Sequence, residues 1–328
     1  MADRNSQVAE LKRVWVRNFK SLQVFSLDVG QKHIAVVGPN GSGKTSLVEV
    51  FELWRDVVEY VRDNAPHPLL KWWSFEHVVW RGDASQPVVL GLELSAADTH
   101  IHYELGLYRR DIVNERIVVD KGGTRLEHAT SAALAALRRV MLSAVCAEKP
   151  VSANARLLVD AVATVCSFAG GFVALKELNY VELRRPQRPE RQTSLLPDAS
   201  NLVPLLLQLT GGRPTPQLEE TLRMLGYASM SFPVAEDGRI YLKLTRVDGT
   251  AVAQHMLPSS VFKALALETV LMTKPTLIAV DNFECGLDQD LQLHLLNRLA
   301  NCGAYVFITT NSETVLRRMK EIGRAVKL

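Results

Sequence analysis

The most constraining feature of the chain is a glycine-rich segment that directly follows a short apolar run. The apolar run covers residues 34–37, and the segment after it, residues 38–46, reads GPNGSGKTS. This segment has the form G-x-x-x-x-G-K-[ST], in which the glycines let backbone N–H groups turn inward around a phosphate. A helix expected from about Lys44 points the positive end of its dipole at the same anion. The segment therefore predicts a phosphate-binding loop between a buried strand and a helix.

The positions of this loop have expected roles in holding a nucleoside triphosphate. Lys44 is expected to bridge the β- and γ-phosphates, and the hydroxyl of Thr45 is expected to bind Mg²⁺. The predicted cofactor-binding residues of the loop are Gly38, Pro39, Asn40, Gly41, Ser42, Gly43, Lys44, Thr45 and Ser46. The alternative is a glycine-rich turn that contains a lysine by chance, and the strand and helix on either side argue against it.

A second acidic position completes the expected metal site. The apolar run TLIAV, residues 276–280, is followed at once by Asp281. A phosphate-binding loop needs a carboxylate for magnesium at the end of a neighbouring strand. Asp281 is therefore the predicted partner of Thr45 as a Mg²⁺ ligand. Taken alone, the same pattern would also fit a buried strand that ends in a turn.

Composition bounds the class of protein. The 328 residues suffice for one large α/β domain or two modest ones, and 47% of them are hydrophobic. A net charge of +3 gives no strong preference for nucleic acid or for an anionic membrane. The polar start MADRNSQVAELKR and the lack of a long apolar run predict no signal peptide and no membrane span. Four scattered cysteines predict reduced thiols and a cytoplasmic location.

The pattern of apolar residues predicts a single domain, residues 1–328, made of three parts. Residues 11–120 carry the loop, a helix up to about residue 61 and an antiparallel meander of three strands that begin near residues 88, 101 and 112. Residues 121–230 are rich in Ala, Leu and Val and are predicted to form a helical lobe. Residues 231–328 contain a helix from about residue 260, the strand before Asp281 and a last buried strand.

With these motifs in this order, the chain resembles the ABC-class ATPase heads of the RecF, SMC and OLD group, often labelled AAA family ATPases. The resemblance rests on NFKS at 18–21, GPNGSGKTS at 38–46, PDASNL at 197–202, LPSSVFKALAL at 257–267, LIAVDNFECGLD at 277–288 and FITTNSETVL at 307–316. It implies an α/β P-loop NTPase fold with a mixed sheet, an antiparallel β subdomain and a helical lobe. It also implies binding of ATP with Mg²⁺ and a face-to-face homodimer that depends on ATP.

Two departures from this family pattern fall where the resemblance places hydrolysis. The residue after Asp281 is usually a glutamate that polarises the attacking water, and here it is Asn282. Glu284 matches a second acid of the family. The last strand of such heads usually ends T-T-H-S, with a histidine that touches the γ-phosphate, and here Asn311 takes its place. The resemblance makes Asn282, Glu284 and Asn311 the candidate catalytic positions, although an amide cannot accept the proton of a water molecule.

A third departure lies in the family's signature, which usually reads L-S-x-G. Here Leu257 is followed by Pro258, Ser259 and Ser260. Proline has neither a hydroxyl nor an N–H to offer a phosphate. Ser259 and Ser260 stay candidate nucleotide-binding residues, because one of them is expected to cap the next helix, whose N-terminus favours an anion.

Together the departures predict retained nucleotide binding with slow or impaired hydrolysis. Loss of a general base typically costs ~10²–10⁴ in rate. An ordinary slow ATPase with tolerated replacements is the alternative. The resemblance implies a nucleotide-dependent switch in DNA maintenance or antiviral defence that acts with a separate effector protein. A catalytically inactive nucleotide-binding scaffold for a partner protein or assembly is the second hypothesis.

Two other features leave an interaction open. The basic stretch RRPQRPER, residues 184–191, is predicted to be a solvated loop, with contact to a nucleic-acid backbone as the alternative. A cluster of aromatic residues between positions 72 and 80, here called the aromatic cluster, is predicted to pack in the core, with an exposed contact patch as the alternative. Its members are Trp72, Trp73, Phe75 and Trp80.

Overall fold

The chain folds into two units, and each is assembled from two separate stretches of sequence. The computed structural model describes residues 9–63, 65–130 and 152–328. The first unit combines Met1–Gly30 with Asn40–Phe172, and the second combines Gln31–Pro39 with Val173–Leu328. Within the glycine-rich loop, the chain passes from the second unit to the first between Pro39 and Asn40.

The first unit contains a six-stranded antiparallel sheet in the order β2-β1-β4-β5-β6-β7. The strands are β1 (Glu10–Phe19), β2 (Leu22–Asp28), β4 (Val88–Ala96), β5 (Thr99–Tyr108), β6 (Asp111–Lys121) and β7 (Thr124–Thr130). Buried and more exposed side chains alternate along the first part of β5, whereas β1 keeps the consecutive residues Val14, Trp15 and Val16 buried. The predicted meander of three strands is confirmed as β4, β5 and β6.

Two long helices belong to the same unit: α1 (Lys44–Asp63) and α2 (Ala153–Gly170). The helix predicted from Lys44 is confirmed, and its apolar positions Phe51 and Trp54 are fully buried. The Phe51 ring meets the Phe172 ring edge to face, with centroids 5.7 Å apart. Gly170 ends α2, and a Cβ atom there would lie 3.3 Å from a methyl group of Val58. A Cβ atom at position 170 would require that methyl group to shift by a few tenths of an ångström.

The second unit contains a five-stranded sheet in the order β14-β3-β13-β12-β8. The strands are β3 (His33–Val37), β8 (Phe172–Leu175), β12 (Leu277–Val280), β13 (Tyr305–Thr309) and β14 (Arg324–Lys327). The pairs β14–β3, β3–β13 and β13–β12 run parallel. Every residue of β12 and β13 is buried, which explains why both strands are nearly continuous apolar runs.

Six helices and a small sheet complete the described part of the second unit. The helices are α3 (Tyr180–Leu183), α4 (Leu202–Thr210), α5 (Pro216–Met224), α6 (Ser259–Met272), α7 (Gln289–Ala300) and α8 (Glu313–Ile322). The small antiparallel sheet has the order β11-β10-β9, with β9 (Tyr227–Ser231), β10 (Lys243–Arg246) and β11 (Ala251–Ala253). Asp248 and Gly249 form the turn between β10 and β11, where Gly249 has φ 86° and the Asp248 carboxylate accepts the Thr250 N–H.

The region predicted as a helical lobe, residues 121–230, contains strands as well as helices. β7 extends the antiparallel sheet, and β8 lies at one edge of the parallel sheet. β8 reads FVAL, and a run of four buried residues is too short to be told from a helical segment by its periodicity. Residues 131–151 of the predicted lobe lie outside the described residues. The division of the chain at residues 121 and 231 stays a prediction.

The aromatic cluster departs from its prediction at one position. Phe75 is buried, while Trp72 and Trp80 are half-buried. Trp73 is 97% exposed, so its predicted place in the core is wrong. A tight succession of turns and two short 3₁₀ helices at Phe75–His77 and Trp80–Gly82 prevents neighbouring aromatic residues from facing the same side. Among the residues that the structure describes, no helix combines the length and apolar character needed to cross a membrane.

Candidate nucleotide-binding site

The glycine-rich loop leaves β3 and leads into the first turn of α1. Gly41 and Gly43 have φ angles of 82° and 104°, a backbone conformation that side chains strongly disfavour. A Cβ atom on Gly43 would also lie 2.8 Å from the Cδ2 atom of Leu22. The Leu47 N–H donates to the Gly43 carbonyl oxygen at 2.9 Å, so the helix closes directly on the loop. The loop therefore needs glycine at these positions for backbone geometry and, at Gly43, for space.

The side chains at the start of α1 divide into buried and exposed groups. Lys44 and Ser46 are 7% and 6% exposed, whereas Thr45 is exposed. The first turn of α1 contains no acidic residue, so no side chain of that turn neutralises the positive end of the helix dipole. Among the described residues, the buried Oγ atom of Ser42 has no hydrogen-bond partner. These features fit a loop that receives an anion, because buried polar groups are ordinarily satisfied.

In the second unit, Asp281 lies directly after β12 and is 6% exposed. Its backbone N–H donates to the Leu175 carbonyl oxygen at 2.8 Å. The Thr309 hydroxyl donates to the Asp281 Oδ1 atom at 2.5 Å. The same hydroxyl oxygen accepts the backbone N–H of Asn282 at 2.8 Å. One threonine at the end of β13 thus positions both the predicted metal ligand and the residue after it.

The backbone of Asn282 has a geometry that its sequence position did not reveal. Asn282 is exposed and has φ 44°, in the left-handed region. Asparagine enters this region more readily than glutamate does. The Phe283 N–H donates to the Thr309 carbonyl oxygen at 3.0 Å, and the Phe283 side chain is fully buried. The backbone is therefore held on both sides of Asn282, and this conformation gives a physical reason for asparagine where the family usually has glutamate.

The structure brings Glu284 and Asn311 together, but through a backbone group. The Glu284 Oε1 atom accepts the Asn311 backbone N–H at 2.8 Å. The Glu284 Oε2 atom is buried, and no partner for it exists among the residues that the structure describes. The residue Asn311 itself is exposed. One oxygen of Glu284 thus organises the end of β13, and the other keeps the capacity to accept a further hydrogen bond.

The predicted helix cap in the signature-like segment is wrong. Helix α6 begins at Ser259, its N-cap residue is Pro258, and no side chain caps it. Ser259 instead shares a hydrogen bond with the Tyr180 side chain, and both Ser259 and Ser260 are half-buried. Proline at the cap has the extended backbone that this position requires, with φ −64° and ψ 157°. The serines therefore occupy the first helical turn, and a role in binding nucleotide stays a prediction.

Lys263 is a residue of this region that sequence reasoning missed. It lies on α6, is 3% exposed, and its Nζ atom donates to the backbone carbonyl oxygen of Asp281 at 3.3 Å. Burial lowers the pKa of the Lys263 ammonium group from 10.5 to about 8. The available signal was a lysine inside the otherwise apolar stretch VFKALAL, because such a residue on a buried helix needs a polar partner.

The basic stretch is a loop whose charges are partly compensated. Arg185 pairs with Glu182 at 2.9 Å, and Arg188 lies 3.9 Å from Glu190. The Arg184 guanidinium lies over the Tyr180 ring, 5.6 Å from its centroid. The predicted loop is confirmed as a segment without regular helix or strand, and contact with nucleic acid stays untested.

The chain resembles known proteins at two levels. No family model matches it. Among curated proteins, the chromosome partition protein Smc of Methanocaldococcus jannaschii is 39% identical over 56 residues. This match covers 16% of the chain and only 5% of the archaeal protein's length.

Solved structures that are similar to the chain include SMC head domains. An SmcHead bound to the C-winged helix domain of ScpA is 9% identical, with a TM-score of 0.53 over 94% of this chain and 91% of that one. An Smc head domain with an extended coiled coil, bound to the C-terminal domain of ScpA derived from Pyrococcus furiosus, is 9% identical, with a TM-score of 0.51 over the same shares. The likeness at this identity concerns the fold. The chain therefore has the P-loop NTPase fold of the ABC-class ATPase heads of the SMC and RecF group, which confirms the resemblance predicted from its ordered motifs.

Proposed function

We propose that the chain is a Mg-ATP-binding ABC-type ATPase head that works as a nucleotide-dependent switch with slow or impaired hydrolysis. The observation that carries this proposal is the loop in front of α1. Gly41 and Gly43 adopt left-handed conformations there, Lys44 is buried beside them, and Ser42 has an orphaned hydroxyl among the described residues. Such a loop at a helix N-terminus is built to receive phosphate oxygens.

The magnesium ion is proposed to take ligands from Thr45 and Asp281. A hydroxyl and a carboxylate are the oxygen donors that suit Mg²⁺, which also keeps water and phosphate ligands. The Thr309 hydroxyl supports the role of Asp281, because the hydrogen bond that it donates to the Oδ1 atom fixes the orientation of the carboxylate. Bound magnesium neutralises phosphate charge, and the chain's own part is to hold these two donors.

Slow hydrolysis is proposed from the groups at the predicted catalytic positions. Asn282 and Asn311 offer amides, which orient water but do not accept its proton. Glu284 is the remaining carboxylate, and one of its oxygens already accepts the Asn311 N–H. Loss of a general base costs ~10²–10⁴ in rate, or roughly 3–5 kcal/mol of barrier. We therefore expect the turnover rate to lie ~10²–10⁴-fold below that of a head with an intact glutamate.

The biological role is proposed at a coarser level from the fold. The ABC-head resemblance supports an ATP-dependent homodimer in which Ser259 and Ser260 contact the nucleotide of the other subunit. Solved SMC heads are bound to domains of ScpA, which supports a separate effector protein as partner of this chain. We propose a cytoplasmic role in DNA maintenance or antiviral defence, with direct nucleic-acid contact as the least supported element.

A catalytically inactive scaffold is the second candidate, and the conformation of Asn282 favours it. The left-handed backbone at this residue disfavours the glutamate that hydrolysis uses in the family. In such a scaffold ATP stabilises a fold or an assembly without turning over.

Calorimetry and phosphate release test the proposal on the purified full chain. We expect Mg-dependent ATP binding that Lys44→Ala abolishes, while Lys121→Ala, which removes an exposed lysine of the same unit, leaves it unchanged. Turnover that disappears in Lys44→Ala supports the switch. Tight binding without turnover supports the scaffold. Absence of binding to ATP and GTP in folded protein with magnesium refutes both.

A carboxylate restored at position 282 distinguishes loss of the general base from backbone strain. Asn282→Glu is expected to raise turnover if the missing base alone limits it. Asn282→Asp is the matched variant, because aspartate tolerates the left-handed backbone but has a shorter side chain. A fall in thermal stability for Asn282→Glu that Asn282→Asp does not share would identify backbone strain as the reason for asparagine.

A further inference from the structure

A surface of the first unit that contains no residue of the glycine-rich loop has the properties of a docking site. Trp73 lies in the segment between α1 and β4, and 97% of it is exposed. Leu70, three residues earlier, is 54% exposed. Tryptophan is among the residues that dominate protein–protein interfaces, because a large rigid ring is removed from water on binding. An almost fully exposed tryptophan beside an exposed leucine is therefore unusual for a solvated loop.

These residues border a groove, here called the Trp73 groove, with a volume of about 430 Å³. Its lining includes Leu69, Leu70, Trp72, Trp73, Arg109 and Arg110. Phe75 also lines it, is buried and meets the Tyr108 ring at a centroid distance of 5.2 Å. The apolar part of the groove is thus built on packed aromatic residues, and it offers a preformed place for one large apolar side chain.

The charged rim of the groove is the turn between β5 and β6. Tyr108 and Asp111 pair across the hairpin, so Arg109 and Arg110 form its two-residue tip. Arg109 has φ 53°, a conformation that such turns usually give to glycine or asparagine. An arginine that holds a disfavoured backbone conformation at a surface tip is a candidate for a functional role.

The guanidinium N–H groups of Arg109 and Arg110 are available to a ligand. Within the described residues, neither Arg109 nor Arg110 forms an ion pair or a side-chain hydrogen bond, although the Arg109 guanidinium lies 5.7 Å from the centroid of the Tyr108 ring. Each guanidinium carries five N–H donors that match a carboxylate in two-point fashion. The carboxylate of Glu76, on the same groove, is engaged by the Ser74 side chain and by its own backbone N–H, and it also attracts the Arg109 guanidinium without forming an ion pair with it. The rim therefore presents two arginine side chains that form no ion pair or side-chain hydrogen bond within the described residues, beside an apolar floor.

The composition of the groove favours a protein segment over a nucleic acid. Single-stranded nucleic acid needs stacking platforms and a continuous positive track for its phosphates. Here Leu70, which is 54% exposed, supplies aliphatic surface, and Glu76 and Asp111 interrupt the positive charge. A peptide can place its carboxylates against the two arginines and keep them away from the two acids.

We propose that the Trp73 groove is a docking site for a partner protein segment in which one large apolar side chain is flanked by aspartate or glutamate. The apolar side chain fills the groove against Trp73, and the carboxylates pair with Arg109 and Arg110. The site contains no residue of the glycine-rich loop. It goes beyond the proposed nucleotide function and does not depend on it.

The test uses the full chain without nucleotide and a random dodecapeptide library displayed on phage. Wild-type protein is immobilised, and an excess of soluble Trp73→Ser protein removes peptides that bind elsewhere. We expect enriched peptides with Trp, Phe or Leu between acidic residues. Synthetic fluorescein-labelled versions are expected to bind at least tenfold more weakly to Trp73→Ser and to the double variant Arg109→Ser/Arg110→Ser.

Two matched variants control for loss of any exposed apolar or cationic side chain. Val24→Ser removes a residue that is 72% exposed in the same unit, and Arg188→Ser removes an arginine side chain that is 80% exposed. Both are expected to change peptide affinity less than twofold. Only variants whose melting temperature stays close to that of wild type are compared.

Three results would overturn the proposal. The first is a selection in which no peptide distinguishes wild type from Trp73→Ser. The second is enrichment of basic peptides or affinity that the double arginine variant leaves intact. The third is binding of a labelled oligothymidine strand that Trp73→Ser abolishes, which would assign the groove to nucleic acid. Because no nucleotide is present, failure here is distinct from failure of ATP binding.

Discussion

The hydroxyl of Thr309 is expected to contribute much of the order around Asp281, and Thr309→Val removes it at nearly constant shape. Thr309 is 1% exposed, so water does not replace the lost group. Its hydroxyl donates to the Asp281 carboxylate at 2.5 Å and accepts the Asn282 N–H at 2.8 Å. The substitution therefore breaks two hydrogen bonds at once and lets Asp281 and Asn282 move independently.

The size of the effect follows from the nature of the two bonds. A hydrogen bond to a charged group contributes about 1.5–3 kcal/mol, and a neutral one about 0.5–1.5 kcal/mol. Asn282 is exposed, so its backbone N–H can form a hydrogen bond with water instead. The free energy lost with this neutral hydrogen bond therefore lies at the low end of its range. We expect Thr309→Val to lower the free energy of unfolding by about 2–4 kcal/mol. At about 2–4 °C per kcal/mol for a unit of this size, the melting temperature falls by roughly 4–16 °C.

Thermal unfolding followed by circular dichroism, without nucleotide, measures this change. Thr309→Ser is the control, because it keeps the hydroxyl and is expected to retain most of the stability. Titration with Mg-ATP gives a second readout, in which Thr309→Val is expected to show weaker magnesium dependence than Thr309→Ser. A melting temperature for Thr309→Val within 1 °C of wild type, or an equal fall for Thr309→Ser, would refute the reasoning (thresholds set at roughly a quarter of the smallest expected shift).

Three further predictions rest on single features of the structure. Gly43→Ala is expected to destabilise the protein by about 1–3 kcal/mol in urea unfolding and to abolish ATP binding, because φ is 104° there; Gly30→Ala, where an added Cβ meets no described atom within 4 Å, is expected to do neither. Arg298→Met is expected to cost about 3–5 kcal/mol in the same assay, because Glu268 is 1% exposed, loses its charged partner at 2.9 Å and keeps only the neutral Thr221 hydroxyl as a hydrogen-bond partner among the described residues; replacing both residues by Met should recover much of the loss, and an additive double variant would contradict this. Burial raises the pKa of Glu115 from 4.5 to about 7, so the folded state keeps a proton that the unfolded state has released, and stability is expected to fall by about 3 kcal/mol as pH rises from about 4.5 to 7. Melting curves between pH 5 and 8 should show this slope in wild type and a flatter profile in Glu115→Gln.

Much of the fold could be predicted because its main elements have strong local patterns. The meander of β4, β5 and β6 shows alternation, α1 shows helical spacing, and β12 and β13 are short runs that are apolar throughout. The strand β8 was not predicted, because four apolar residues next to a helix carry no distinct period. Trp73 was misplaced for a related reason: hydrophobic character predicts burial only on average, and turns decide the direction of each side chain.

The candidate site was predictable in its residues and not in its connections. The apolar run before it identified Asp281, and the family resemblance identified Asn282 and Glu284. The hydrogen bond from Thr309 and the contact of Lys263 with the Asp281 carbonyl join residues far apart in the chain. The left-handed conformation of Asn282 also has no signal in the residues around it. These features depend on how separate strands and helices meet.

The sequence by itself determined the chemistry of the loop, because the freedom of glycine, the charge of Lys44 and the alternation of strand and helix are local properties of the chain. Only the tertiary structure decided which groups share a hydrogen bond. In the parallel pair β12–β13, Val280 lies opposite Ile308, so Asp281, just after β12, lies beside Thr309, the last residue of β13. A shift of one residue in that register would separate them, and register is a property of packed strands that no short stretch of sequence specifies alone.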